Sequence, residues 1–191
     1  MRCIIWGLAL VSLAACSPQG PDAETANASG QMSSEPKAGA NEQHLAKVPL
    51  IIRHGEGKAD TRLQVEIALT PQQQEQGLQN RTDLTAGDGM VFPMDPPRSP
   101  SFWMKDTPLP LDLIFIRTDG SVARIIANAQ PGDRTPLFAE VPVAGVLELL
   151  GGSAAAIGLD EDDHVNWGEC TKRVEDTGIA ETGNFCPAPS P

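Results

Sequence analysis

The sequence predicts a β-rich α+β fold: one compact domain of mainly antiparallel strands, closed or partly closed into a barrel, with two short helices. Three stretches carry that prediction. "TRLQVEIAL" alternates, with Leu63, Val65, Ile67 and Leu69 on one face and Arg62, Gln64, Glu66 and Ala68 on the other, the period of a half-buried strand. "LDLIFIR-TDG-SVARIIANA" places two apolar runs around a tight turn, with Asp119-Gly120 supplying the positive φ such a turn needs. "VAGVLELL", "GGSAAAIGL" and "DEDDHVNW" follow as strand, short helix and strand. Strands dominate and helices are short, and no internal repeat of fixed period is present, which favours a small layered or barrel architecture.

The elements before the domain set its surroundings. Residues 1–15 join Arg2 to an apolar run from Ile4 to Leu13 and end in Ala14 and Ala15. That is the pattern of a signal peptide, too short for a permanent membrane span. "LAAC" resembles the bacterial lipobox, which implies cleavage before Cys16 and lipidation of its thiol; the alternative is an ordinary secretory signal with an incidental cysteine. Residues 16–47 then form a linker rich in Ala, Ser, Gly, Gln and Pro, too poor in large apolar groups to offset its chain entropy. A coil of about 30 residues reaches roughly 30 Å, so the expected domain floats near a membrane it is tied to by lipid.

The domain is expected over 48–169. "VPLIIRH" opens it as a strand, and "HGEGKAD" turns the chain back. In "TPQQQEQGLQNR", Thr70 can cap a helix, Pro71 suits its first position, Gln73 completes a capping box and Gly77 ends it. "MVFPMDPPRSPSF" carries four Pro, so no regular strand is expected beyond Val91 and Phe92. Near the end, Ser153 is the expected cap of the second helix and Gly158 its terminator. Residues 170–191 form a polar tail. Cys170 and Cys186 are the cysteines left once Cys3 and Cys16 are assigned to the leader and the anchor. In an oxidising envelope they are expected to form one disulfide, worth roughly 3 kcal/mol.

Charge excludes one class of partner. The chain carries 14 Lys+Arg against 25 Asp+Glu, a net charge of −11, the opposite of what counterion release on nucleic acid requires. Nucleophile motifs are also poor. "GGSAA" lacks the second Gly of the serine-hydrolase elbow, and Ser101 and Lys105 stand four apart rather than three. Asp160, Asp162 and His164 in "DEDDH" are a weak calcium candidate, but Val165 occupies the place where an EF-hand needs Gly. The simpler reading is an acidic turn entering a strand.

The informative stretch is "SFWMKDTPLPLDLIFI", where Phe102, Trp103, Lys105, Asp106 and Asp112 gather at the edge of an apolar run. Two readings stand. Trp103 plugs one end of the core while Lys105 neutralises Asp112 or Glu148. Alternatively, Trp103 and Phe102 floor a shallow cleft rimmed by Lys105, Asp106, Asp112 and Arg81, the usual build of a small-ligand site. Asp112 and Glu148 each interrupt an apolar strand. Buried, they must be paired or hydrogen-bonded, and if convergent they could act as general acid and base.

The segments "GMVF", "FWMKDTPLPLDLIFIRTDGSV", "VLELLGG" and "DHV" resemble DUF192, a bacterial and archaeal family of uncharacterised proteins. The resemblance covers roughly Thr61 to Val165. Asp106 stands where the family pattern W-M-K-N-T has Asn. In the pattern R-x-x-G-L-M-x-R, Gly77, Leu78 and Arg81 match while the leading Arg and the Met do not. The resemblance implies a small, often exported β-rich domain and assigns no activity.

Three functional classes follow: a non-catalytic, lipid-anchored monomer that binds an envelope glycan or protein; a hydrolase or glycan-acting enzyme using Asp112 and Glu148; and an accessory factor docking on another envelope protein. With no recognised nucleophile, ligand cluster or phosphate loop, the binding module comes first and no cofactor is expected. The location that follows is the periplasm-facing cell envelope, on either membrane.

Overall fold

The computed structural model describes residues 44–55, 57–169 and 183–187. The expected signal peptide, Cys16, the linker before His44, and Cys170 lie outside the described residues. Seven strands form one sheet: β1 (Lys47–Arg53), β2 (Thr61–Ile67), β3 (Gly89–Arg98), β4 (Leu111–Ile116), β5 (Val122–Ala129), β6 (Val143–Leu150) and β7 (His164–Trp167). Two short helices, α1 (Pro71–Gln76) and α2 (Ser153–Ala156), complete the fold. The strand order is β5-β4-β6-β3-β2-β1-β7. All neighbours are antiparallel except β2 and β3, whose parallel crossover is made through α1.

The sheet curls until its two edge strands meet. Ser121 and His164 form a bridge, with Val122 N–H donating to Asp163 O at 3.0 Å and Val165 N–H to Gly120 O at 2.8 Å. This is the partly closed barrel that the strand pattern predicts. The central strands β3, β4 and β6 then face two apolar layers. Ile114, Ile116, Leu147, Leu149, Val65 and Trp167 belong to the inner one, where the Trp167 ring reaches across to β6. A Cβ on Gly145 would stand 2.6 Å from Trp167 Cη2, so only glycine admits the indole. Leu113, Phe115, Met90, Phe92, Met94 and Met104 form the outer layer, with Leu78 just after α1. Alternation along a strand sends neighbouring residues to opposite layers.

Several expectations hold in detail. Thr70 Oγ1 accepts from Gln73 N–H at 3.2 Å, and Gln73 Oε1 accepts from Thr70 N–H at 2.9 Å, the reciprocal box. Gly120 takes φ 86° in the β4–β5 turn. Asp119 does not share that conformation; its carboxylate instead accepts from Ser121 N–H at 2.9 Å.

Others are corrected. The Pro-rich stretch is strand as far as Arg98, with a register break between Pro93 and Arg98. The reason is one-sided pairing: β2 reaches only Met90 and Val91, so the later prolines forfeit no ladder bond on that side. β2 is covered on both faces at its end, where Glu66 and Ala68 are buried beneath the outer layer. Ser153 does not cap α2. The N-cap is Gly152, without a side-chain bond, and the role passes to Asp112. The tail also holds core: Phe185 is buried and stacks on Trp167 at 4.4 Å. Cys186 beside it is disulfide-bonded.

Candidate functional site

A cleft of about 380 Å³ opens on the outer face of the sheet. One wall is α1 and the turn after it, with Gln74, Gly77 and Leu78. Gln74 fixes that wall: its amide donates to Ala68 O at 3.2 Å and to Pro93 O at 2.8 Å. Gly77, at φ 48°, brings the turn so close to Phe92 that a Cβ would lie 3.3 Å from the ring. The opposite wall is the loop after β3, with Phe102, Trp103 and Thr107. Although irregular, this loop is pinned. Phe102 and Leu137 exchange two backbone hydrogen bonds of 2.8 Å, and Met104 N–H donates to Asp133 O at 2.8 Å. Phe102 stands edge-on to both Phe92 and Phe115. Met104 is buried, whereas Trp103 beside it is 52% exposed.

Glu148 lies at the floor. It is 6% exposed, and its register partners Met90 and Leu113 are apolar members of the same layer. None of the hydrogen bonds or ion pairs among the described residues reaches its carboxylate. Burial alone pushes its pKa up to about 8, because desolvation disfavours the charged form.

The other candidates are distributed differently. Asp112 is fully buried and faces the inner layer, as its partner Leu149 does. Its oxygens accept from Asn128 N–H and from Ala154 N–H, each at 2.8 Å, the second bond capping α2 from a distant strand. Asp112 and Glu148 therefore occupy opposite faces of the sheet and form no convergent pair. Arg81 is buried and spent on Glu66 at 3.0 Å and Asp83 at 2.6 Å. Lys105 reaches Asp106 at 3.4 Å, with both side chains exposed; it neutralises neither Asp112 nor Glu148. Asp106 takes φ 56°, a left-handed position that Asn and Asp tolerate best, and its carbonyl accepts from Asn80 N–H at 2.8 Å. The expected floor residues Phe102 and Trp103 line the cleft, while the expected rim residues Arg81, Lys105, Asp106 and Asp112 do not.

The acidic segment makes a turn rather than a ligand set. Asp160 binds Lys58 Nζ at 3.1 Å and accepts from Asp162 N–H at 3.1 Å. His164 belongs to the barrel seam. Among the described residues no group of three His, Cys, Asp or Glu could hold a metal ion. The buried member of this segment is Asp163, which sequence reasoning passed over. Its Oδ2 lies 2.7 Å from His54 Nδ1 and accepts from Asp160 N–H at 3.0 Å. His54 Nε2 in turn lies 2.9 Å from Thr61 Oγ1. His54 and Asp163 are 109 residues apart in sequence, and no local signal joins them. The cleft residues missed by sequence reasoning, Gln74, Phe92 and Met94, come from α1 and β3, which the parallel crossover brings beside the Trp103 loop. No helix among the described residues is long and apolar enough to cross a membrane.

The comparisons agree with this architecture. The model of the DUF192 family, described as "Uncharacterized ACR", matches residues 52–167. A crystal structure of a protein of unknown function from Novosphingobium aromaticivorans DSM 12444 is 41% identical, with a TM-score of 0.61, over 64% of this chain and 86% of that one. A second, from Sinorhizobium meliloti 1021 and described as a proposed transcription regulator, is 36% identical with a TM-score of 0.63, over 66% of this chain and 97% of that one. No curated protein matches the chain.

Proposed function

This chain belongs to the DUF192 family, and from that premise and the cleft geometry we propose that it is a lipid-anchored envelope protein whose domain binds a small ligand in the Trp103–Glu148 cleft. One observation carries the reading: Trp103, left 52% exposed, lines the same cleft as a buried carboxylate, Glu148, that has no partner among the described residues. Folding gains nothing from either arrangement. An apolar cleft with one or two polar groups is the usual form of a small-molecule site, and about 380 Å³ is room for a sugar ring or a partner's side chain. The lipid anchor rests on Cys16 and the leader before it.

The label carried by the Sinorhizobium structure gains no support here, since a net charge of −11 opposes docking on a polyanion. A second reading has a specific observation behind it. A carboxyl held protonated near neutral pH suits a general acid, and Glu75 lines the same cleft. Glycan fragments titrated against the full-length chain, read by tryptophan fluorescence with W103F as the reference, separate the two. Saturable quenching lost in W103F without product supports binding, product lost in E148Q supports the enzyme, and neither response sinks both. Fatty-acid labelling lost in C16S tests the anchor.

A further inference from the structure

We infer that the ligand of this cleft carries an organic ammonium group, which the Glu148 carboxylate meets at the floor while Phe92, Phe102 and Trp103 flank it. The inference rests on the cleft being a binding site and names the chemistry it accepts.

Glu148 differs from the other buried carboxylates of the domain in what surrounds its oxygens. A buried carboxylate is normally neutralised by a cation or by N–H donors, and this chain does so elsewhere: Glu66 has Arg81, and Asp112 has two amides. Among the described residues Glu148 has neither, and it lines a cavity open to solvent. The missing partner is therefore of a kind that can enter from solvent. Three aromatic rings line the same space, and the faces of such rings attract cations. The net charge of −11 adds an attractive field for positive ligands. A neutral ligand would meet the protonated acid as one O–H donor and one acceptor and would release no proton. An anion would face a carboxyl that cannot ionise beside it.

Other charged groups near Glu148 do not supply the counterion. On α1 stands Glu75, of the same sign. At the end of β3, Arg98 lines the cleft, but its guanidinium donates to Gln74 Oε1 at 2.9 Å. On β2, beyond Met90, Glu66 is already paired with Arg81. From β4 comes only Leu113.

Proton balance follows. Below about pH 8 Glu148 is mainly the neutral acid. Binding an ammonium group requires its O–H bond to break, with the proton leaving to solvent and the electron pair remaining on the carboxylate. The cation keeps its own protons. One proton is released per ligand bound, and affinity rises about tenfold per pH unit between pH 6 and 7.

Calorimetric titration of the full-length chain tests this with glucosamine, N-acetylglucosamine, n-butylammonium and 1-butanol, at pH 6 and 7, in two buffers of different ionisation enthalpy. The expected result is saturable binding of at least one ammonium probe, with close to one proton released, at least tenfold tighter than its neutral counterpart. E148Q should lose proton release and at least tenfold in affinity, whereas E75Q should keep the release. Glucosamine alone would place the charge on a sugar body, and butylammonium alone on an alkyl body. Equal binding of charged and neutral probes, weakened in W103A, would overturn the ammonium inference and leave the cleft standing as a site. Ammonium binding that survives E148Q would also overturn it. Absence of binding by all four probes overturns the inference, and the cleft reading falls with it if glycan fragments also fail to quench Trp103.

Discussion

Asp112 and Glu148 stand one residue pair apart across the β4–β6 ladder, yet the fold treats them in opposite ways. Asp112 points to the inner layer and holds two backbone amides at 2.8 Å. Glu148 points to the outer layer, and its pKa is pushed to about 8 by burial with nothing to offset it. In sequence they look alike, each a lone acid between two leucines. The difference teaches that a buried acid with all its oxygens bonded belongs to the scaffold, and one left bare at the bottom of a cleft is held for something outside it.

The largest expected effect lies on the scaffold side. D112A strips two amides of their acceptor and leaves α2 uncapped, at a cost of about 4 kcal/mol. Urea unfolding at pH 7 measures it, and a loss below ~1 kcal/mol would erase the distinction drawn here.

Glu148 should behave with the opposite sign. Its folded pKa of about 8 lies above the ordinary carboxyl value of 4.5, so the fold favours the protonated form. That contribution is complete below pH 4.5 and is lost as pH rises through 8. E148Q titrates nothing, so at pH 9 it should exceed the native chain in stability by about 5 kcal/mol, and by almost nothing at pH 4. Parallel pH–stability curves for the two chains would contradict the isolation of Glu148.

R81M is expected to cost roughly 2 kcal/mol, because it leaves Glu66 buried with only Leu45 N–H and His44 near it. Raising the salt concentration should change this little, whereas an exposed pair would be screened. The smallest effect on stability belongs to W103A, less than ~0.5 kcal/mol for a half-exposed ring. If W103A instead unfolded the domain, Trp103 would be core and the cleft would lose its platform.

Much of this was legible in the sequence, and the limits have physical causes. Period-two alternation located β2, apolar runs set off by turn signals located β4 and β6, and Thr70, Gln73 and Gly77 marked α1, because these signals are local. The Trp103 loop stood out by composition. Which face Asp112 and Glu148 take depends on the register of β4 against β6, and one sequence does not record it. Glu66 and Asp163, which meet Arg81 and His54, lie 15 and 109 residues away in sequence, beyond the reach of any local signal. Lys105 misled for a similar reason: its closeness to Asp112 in sequence says nothing about a chain that turns at Asp106 through a positive φ. The prolines of β3 argued against a strand because the argument assumed neighbours on both sides.

The bridge between Ser121 and His164 also dictates an order of events. The other strand pairs are ladders, whereas this contact is a single bridge between the β4–β5 turn and the last strand. A lone bridge gains too little to hold its own chain closure, so it forms stably once β7 has docked on β1. Until then both sheet edges present unpaired amides to any neighbouring chain. The amides of Val122 and Val165, which span the seam, should therefore be the last to gain protection from hydrogen exchange during refolding. The time they take is the interval in which this protein is open to aggregation.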